Sequence, residues 1–191
     1  MDKKQLRIRW WGGIAIYLAF VYATLGVAPK VWDSLDALFG GFGIIFTVYI
    51  PAALAGIGIL AYMFFKKEER KADSYFIFLV FVAVFAELTL LAQTPEEKIH
   101  LIEYGALGVL LYNALKIDLD RFDPVLYLAG GLFCLGAGLL DEVIQLYLPN
   151  RVFDWKDVVI NFISGVMGLL IIRVVVLRAP KKPIDMRGPR F

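Results

Sequence analysis

His100, the single histidine of the chain, opens an apolar segment with Lys98 just before it and Glu103 and Tyr104 one turn on. An imidazole titrates near neutrality, so it can take up or give away a proton under physiological conditions. About forty residues later, Asp141 and Glu142 interrupt a second apolar segment, with Gln145 one turn further. Arg151, Asp154, Asp157 and Asn161 follow at the start of a third. Carboxylates beside a histidine can orient it or share its proton, and arginine offers a bidentate fork to phosphate or carboxylate. Ionisable groups in an apolar segment lose their hydration, and a chain keeps them where they pair, line a wet cavity or carry function.

These residues sit in segments that read as membrane helices. The 191 residues are 60% hydrophobic, with a mean hydropathy of +0.69. Apolar runs of spanning length recur at Trp10–Ala28, Phe42–Phe65, Tyr75–Ala92, Ile99–Leu115, Val125–Leu148 and Val158–Leu177. The expectation is an all-α, polytopic integral membrane protein: six transmembrane helices in one domain over residues 1–191. The first run is of full span length and lacks a small-residue cleavage site, which argues against a cleaved signal peptide. Cys134 is alone, so it forms no intramolecular disulfide and reads as inert packing.

The net charge of +2 says little, but its distribution is uneven. With the N-terminus inside, sixteen of the twenty Lys and Arg residues fall on inner segments, leaving Lys30, Lys98, Arg151 and Lys156 outside. The positive-inside rule then places both termini in the cytoplasm. The basic ends suit anionic lipid rather than nucleic acid. Lys66–Lys71 reads as a charged cytoplasmic turn, and residues 178–191, with three prolines, as a cytoplasmic tail. Gly40, Gly41, Gly43 and Pro51 suggest a loose or kinked second span. Residues 31–38 read as a short amphipathic turn at the outer surface, and Trp10, Trp11, Trp32 and Trp155 as interfacial anchors, with Trp155 also in reach of a ligand.

This topology puts the polar residues at the outer ends of spans four to six. His100, Glu103, Tyr104 and Gly108 share one helical face, Asp141 and Gln145 another, and Asp157, Asn161, Gly165 and Gly168 a third. Asp141 lies about 10 Å below Leu148 at 1.5 Å per residue. Three stripes at one depth can converge on one pocket. The glycines of these spans allow close helix approach and predict that the three pack tightly together.

At this level of detail the chain resembles the VanZ-like membrane proteins. The text that carries the likeness is Lys98-Ile99-His100-Leu101-Ile102-Glu103-Tyr104, then Leu140-Asp141-Glu142-Val143-Ile144-Gln145. It continues from Arg151 through Asp154, Asp157 and Asn161 to Gly165, so that about residues 85–175 bear the motif. The resemblance implies a multi-pass protein of the cytoplasmic membrane and a link to resistance against the glycopeptide teicoplanin. It gives a family and a site, not a reaction.

The residues then support an outward-facing pocket for an anionic headgroup of a lipid or cell-envelope precursor. His100 is the expected acid or base, with Asp141 or Glu142 as its partner. Lys98, Glu103, Tyr104, Gln145, Arg151, Asp154, Asp157 and Asn161 are the expected ligand-binding residues. Whether the pocket is catalytic stays open between hydrolysis or transfer at the headgroup and binding alone. No cofactor is expected; a divalent cation such as magnesium is a variant that the carboxylates allow, and no zinc motif is present. A structural ion network that pins spans four to six is the second reading. A transporter relaying protons through Glu87, His100 and Glu142 is the third, opposed by the sixteen uncharged residues Val125–Leu140 of span five. Oligomeric state is not legible.

Overall fold

The computed structural model describes residues 2–65, 72–120, 123–149 and 151–172. The charged turn Lys66–Lys71, the last residues of the sixth run from Arg173, and the basic tail lie outside the described residues. Within them the chain is all-helical: α1 (Lys3–Thr24), α2 (Ala28–Phe39), α3 (Ile50–Phe65), α4 (Ala72–Leu91), α5 (Pro95–Leu115), α6 (Pro124–Gln145) and α7 (Trp155–Ile171). A π-helical turn, Ile45–Tyr49, leads into α3.

The helices start where local chemistry starts them. Thr94 caps α5 by accepting from the Glu97 N–H, Pro95 fills the first position, and Glu96 and Glu97 complement the dipole of the first turn. Asp123 and Pro124 do the same for α6, and Asp154 caps α7 by accepting from the Lys156 N–H at 2.7 Å. Gly40 ends α2 in the left-handed conformation, at φ 52°, with its N–H on the Asp36 carbonyl. The irregularity expected around the Gly40–Pro51 stretch appears as the π-turn. Pro51 has no N–H to give to the preceding turn, which lets the ladder widen there.

The core lies between α5, α6 and α7. A Cβ on Gly108 would run into the Gly165 carbonyl, and one on Gly168 into the Gly105 carbonyl, so α5 and α7 touch backbone to backbone. Cys134 of α6 packs into the same seam beside Gly165. The tight packing expected of the last three spans is therefore present. Gly136 is the exception, with nothing near the place its side chain would occupy. Tyr104, Leu107, Leu111, Tyr112, Leu126 and Leu169 fill the core, and Ile14 of α1 closes it from the side.

The outer helices are different. On α3 and α4, Leu54, Ile57, Phe64, Phe76, Leu79 and Leu90 are exposed apolar side chains, as expected of surfaces facing lipid. The π-turn with α3 (Ile45–Phe65), α4 (Asp73–Leu91) and α6 (Pro124–Gln145) are long and apolar enough to cross a membrane. α1 and α2 qualify together as one broken span, bent by 67°. The described residues thus give three candidate spans, or four with the bent pair, against six read from hydropathy. α5 carries the charges of Glu96, Glu97, Lys98 and Glu103, and the described part of α7 is only 17 residues long.

Two local expectations change. Residues 31–38 form part of a 12-residue helix rather than a turn. Trp32 is not an exposed anchor: it is 8% exposed and is the buried residue of α2.

At the end of α5 away from His100, Arg7 of α1 forks onto Asp118 just past α5, its Nε 3.0 Å from Oδ2, and Lys3 adds a contact at 3.3 Å. This cluster is exposed.

Candidate functional site

Helix α5 presents His100, Glu103 and Tyr104 on one face, as their spacing requires. The His100 Nδ1 lies 3.0 Å from Glu103 Oε2 and 3.7 Å from Asp141 Oδ2 of α6. Tyr104 donates its hydroxyl to the same Asp141 oxygen at 3.3 Å. His100 is 6% exposed and Asp141 fully buried, so this histidine stands between two carboxylates out of bulk water. One of them is held by a phenol. An imidazole in that position keeps a fixed orientation and can exchange a proton with either neighbour.

Glu142 is buried too but does another job. Its Oε1 accepts from Gln145 Nε2 and its Oε2 from the Asp154 N–H, both at 2.9 Å. It therefore ties the end of α6 to the cap of α7. Of the two expected carboxylate partners of His100, Asp141 is the one in place. Asp154, expected to touch ligand, uses its side chain as the α7 cap.

A second shelf of charge lies at the mouth. Lys156 donates to Glu97 at 3.0 Å, and Arg151 faces Glu96 at 3.9 Å, a looser pair. Lys98 takes no part in the ion pairs among the described residues. Asp157 and Asn161 follow on α7, with Asn161 fully buried against Gly138 of α6. Asp141 Oδ1, Asp157 Oδ1 and both amide atoms of Asn161 are buried without a hydrogen-bond partner among the described residues. Such atoms call for a donor or for water. Glu87 is exposed on α4 and does not join the cluster. No three His, Cys, Asp or Glu side chains are grouped as ligands for one metal ion among the described residues. The divalent-ion variant therefore rests on residue types alone.

Sequence reading missed the first helices' share of the site. A cavity of about 30 Å³ opens beside His100, lined by Glu96, Ile99, Glu103 and Arg151 from α5 and the segment before α7, and by Val21, Thr24, Leu25, Ala28 and Trp32 from α1, α2 and the bend between them. That volume holds one or two waters. Tyr17 donates to the Glu103 carbonyl at 2.9 Å and Tyr22 to the Ala137 carbonyl at 3.0 Å, pinning α1 to α5 and α6 around the cluster. The signal was present as hydroxyls in an otherwise apolar first span. Glu96, Glu97 and Lys156 were visible as charges near the site, but nothing in their spacing paired them.

No curated protein and no solved structure matches the chain. Residues 96–177 match the family model described as VanZ/LLP1. That stretch takes in nearly all of α5, the whole of α6 and α7, and both carboxylates paired with His100. Together with the apolar helices around it, the match identifies a membrane protein that carries a VanZ-like region from residue 96 to 177, the part of the chain that builds the site.

Proposed function

We propose that this protein crosses the cytoplasmic membrane six times with both termini inside, and that its His100 end faces outward and binds a phosphate-bearing headgroup of a lipid or lipid-linked cell-envelope precursor. The observation that carries the reading is His100, buried between Glu103 and Asp141 beside a small cavity that Arg151 also lines. Ionisable residues kept at depth in a membrane bundle mark functional sites by default. Arg151 and His100 in that lining are the groups suited to a phosphate. Arg151, held only loosely by Glu96, is the cation free to turn toward a phosphate.

Orientation rests on the basic residues, since sixteen of twenty then lie on the cytoplasmic side. The spans beyond the three or four long apolar helices are α5 and α7. These are sheltered by their neighbours, and a sheltered helix does not need a fully apolar surface.

The test is native mass spectrometry of the gently purified protein, wild type beside Arg151→Ala and His100→Gln. A phosphate-bearing lipid retained by wild type and lost from both variants, at an unchanged melting temperature for Arg151→Ala, is the expected result. No retained lipid, with both variants several degrees less stable, would make the cluster a structural network that pins α5, α6 and α7.

A further inference from the structure

The cavity beside His100 has an unusual lining for an anion site. Glu96 and Glu103 bring two carboxylates, and Asp141 lies directly behind His100 with one oxygen unpartnered and fully buried. Against these stand Arg151 and His100 itself. With all three carboxyls ionised, that group of five carries a net negative charge whether the imidazole is neutral or protonated. A buried excess of negative charge is costly until a cation balances it. A purely anionic ligand would add to the excess.

The rest of the lining narrows the kind of cation. Trp32 lines the cavity, and it is the one buried residue on a helix whose other described positions are half-buried or exposed. Val21, Thr24, Leu25 and Ala28 line the cavity beside it. A hard metal ion needs six or more oxygen ligands and is poorly served by such a surface. An ammonium group is served well, because it hydrogen-bonds to carboxylates on one side and is attracted to an indole face on the other. The cavity, at about 30 Å³, is on the scale of one such group. Arg151 sits at its edge, within a few ångströms of Glu96.

Building on the headgroup reading above, we infer that the cavity between α1, α2 and α5 takes an ammonium group, so that the ligand is a zwitterion with its amine against Trp32, Glu96 and Glu103 and its phosphate at Arg151. The helices before residue 96 then set specificity, because Trp32 lies outside the matched family region. An aminoalkyl phosphate, whether a lipid headgroup or a free solute, has the required spacing of charges.

The full chain in mixed micelles holding equal amounts of phosphatidylethanolamine and phosphatidylglycerol tests this by native mass spectrometry. Wild type is expected to retain the amine lipid about tenfold over the other, the scale of one partly desolvated cation–π contact. Trp32→Leu and Glu96→Gln should bring the ratio toward one while phosphatidylglycerol retention holds, and Trp32→Phe should restore part of the preference. Release of the bound lipid by phosphoethanolamine, and not by glycerol phosphate, would support the same preference and show that the headgroup suffices without its tails. Equal retention of both lipids, or a ratio unmoved by Trp32→Leu in a protein that melts normally, overturns the amine inference and leaves the headgroup site standing. Retention of neither lipid removes the headgroup reading, and this inference with it.

Discussion

The two ends of helix α5 hold their charges in opposite ways. At one end His100, Glu103, Tyr104 and Asp141 meet away from water, and the helices around them leave almost no room. At the other, Lys3 and Arg7 reach across to Asp118 in the open. Both clusters join elements distant in sequence, and on a list of ion pairs they look alike. Their physics differs. A buried pair that loses one member leaves a charge stranded, whereas an exposed pair is repaid by water and weakened by salt. The first is a place where a ligand's charge has large consequences; the second is a clasp.

What fixes the two ends relative to each other is the backbone seam between α5 and α7, so the largest effect is expected there. Gly108→Leu drives a side chain into the Gly165 carbonyl and cannot be relieved by moving another side chain. Overpacking of this kind costs about 3 kcal/mol or more, and the variant should give little monodisperse protein on size exclusion. Gly136→Leu, on the same helix as Cys134 but with open space around it, should purify and melt like wild type. Equal loss from both would mean that glycine is needed for some reason other than the seam.

Next in size is Glu142→Ala. It removes the acceptor for Gln145 and for the Asp154 N–H, which links α6 to the cap of α7. Stranding the buried Gln145 amide costs about 1–3 kcal/mol, and loss of the part-buried link to Asp154 adds to it, so the melting temperature should fall by several degrees. Glu142→Gln keeps one acceptor oxygen and should recover part of the loss. A Glu142→Ala variant that melts normally while losing retained lipid would move this residue from the scaffold into the site.

These two residues also show how far the sequence could be read. The spacing of His100, Glu103 and Tyr104 is dictated by helical geometry, and a glycine pattern across three apolar segments predicts close packing whatever the loop lengths. That is why those faces and the α5–α6–α7 seam are legible in the sequence itself. The division of labour between Asp141 and Glu142 was not. Adjacent helical residues point about 100° apart, and only the rotation of α6 decides which one meets His100. Trp32 was misread for a related reason: aromatic residues near a span end usually sit at the interface. This one, on a helix set at 67° to α1, is buried instead. Asp154 looked like a ligand residue because it is charged and near the site, yet an aspartate just before an apolar helix is also a cap.

At the mouth of the site the effects should be smaller. Lys156→Ala breaks the pair with Glu97, in which the lysine is 37% exposed and the glutamate 13%. A half-exposed pair of this kind contributes under about 1 kcal/mol, so the melting temperature should move by only a degree or two. If it moves as far as it does for Glu142→Ala, the mouth is as buried in function as the cluster beneath it.

The smallest effect belongs to the far end and is best seen through pH. The hydrogen bond from Arg7, helped by Lys3, holds the Asp118 carboxyl below its ordinary value of 3.8. A carboxylate whose folded value is depressed adds stability above its unfolded value, and that contribution disappears as pH falls through the folded one. Wild type and Asp118→Asn should therefore differ by a small, constant amount from pH 7 down to about 5, and converge as the pH drops below 4. Because the clasp is exposed, the difference at pH 7 should also shrink in about 0.5 M salt. The melting curve of Glu142→Ala against wild type should be indifferent to the same salt, since its lost partners are neutral donors. A salt-sensitive gap at the buried end, or a salt-insensitive one at Asp118, would erase the contrast between the two ends of α5.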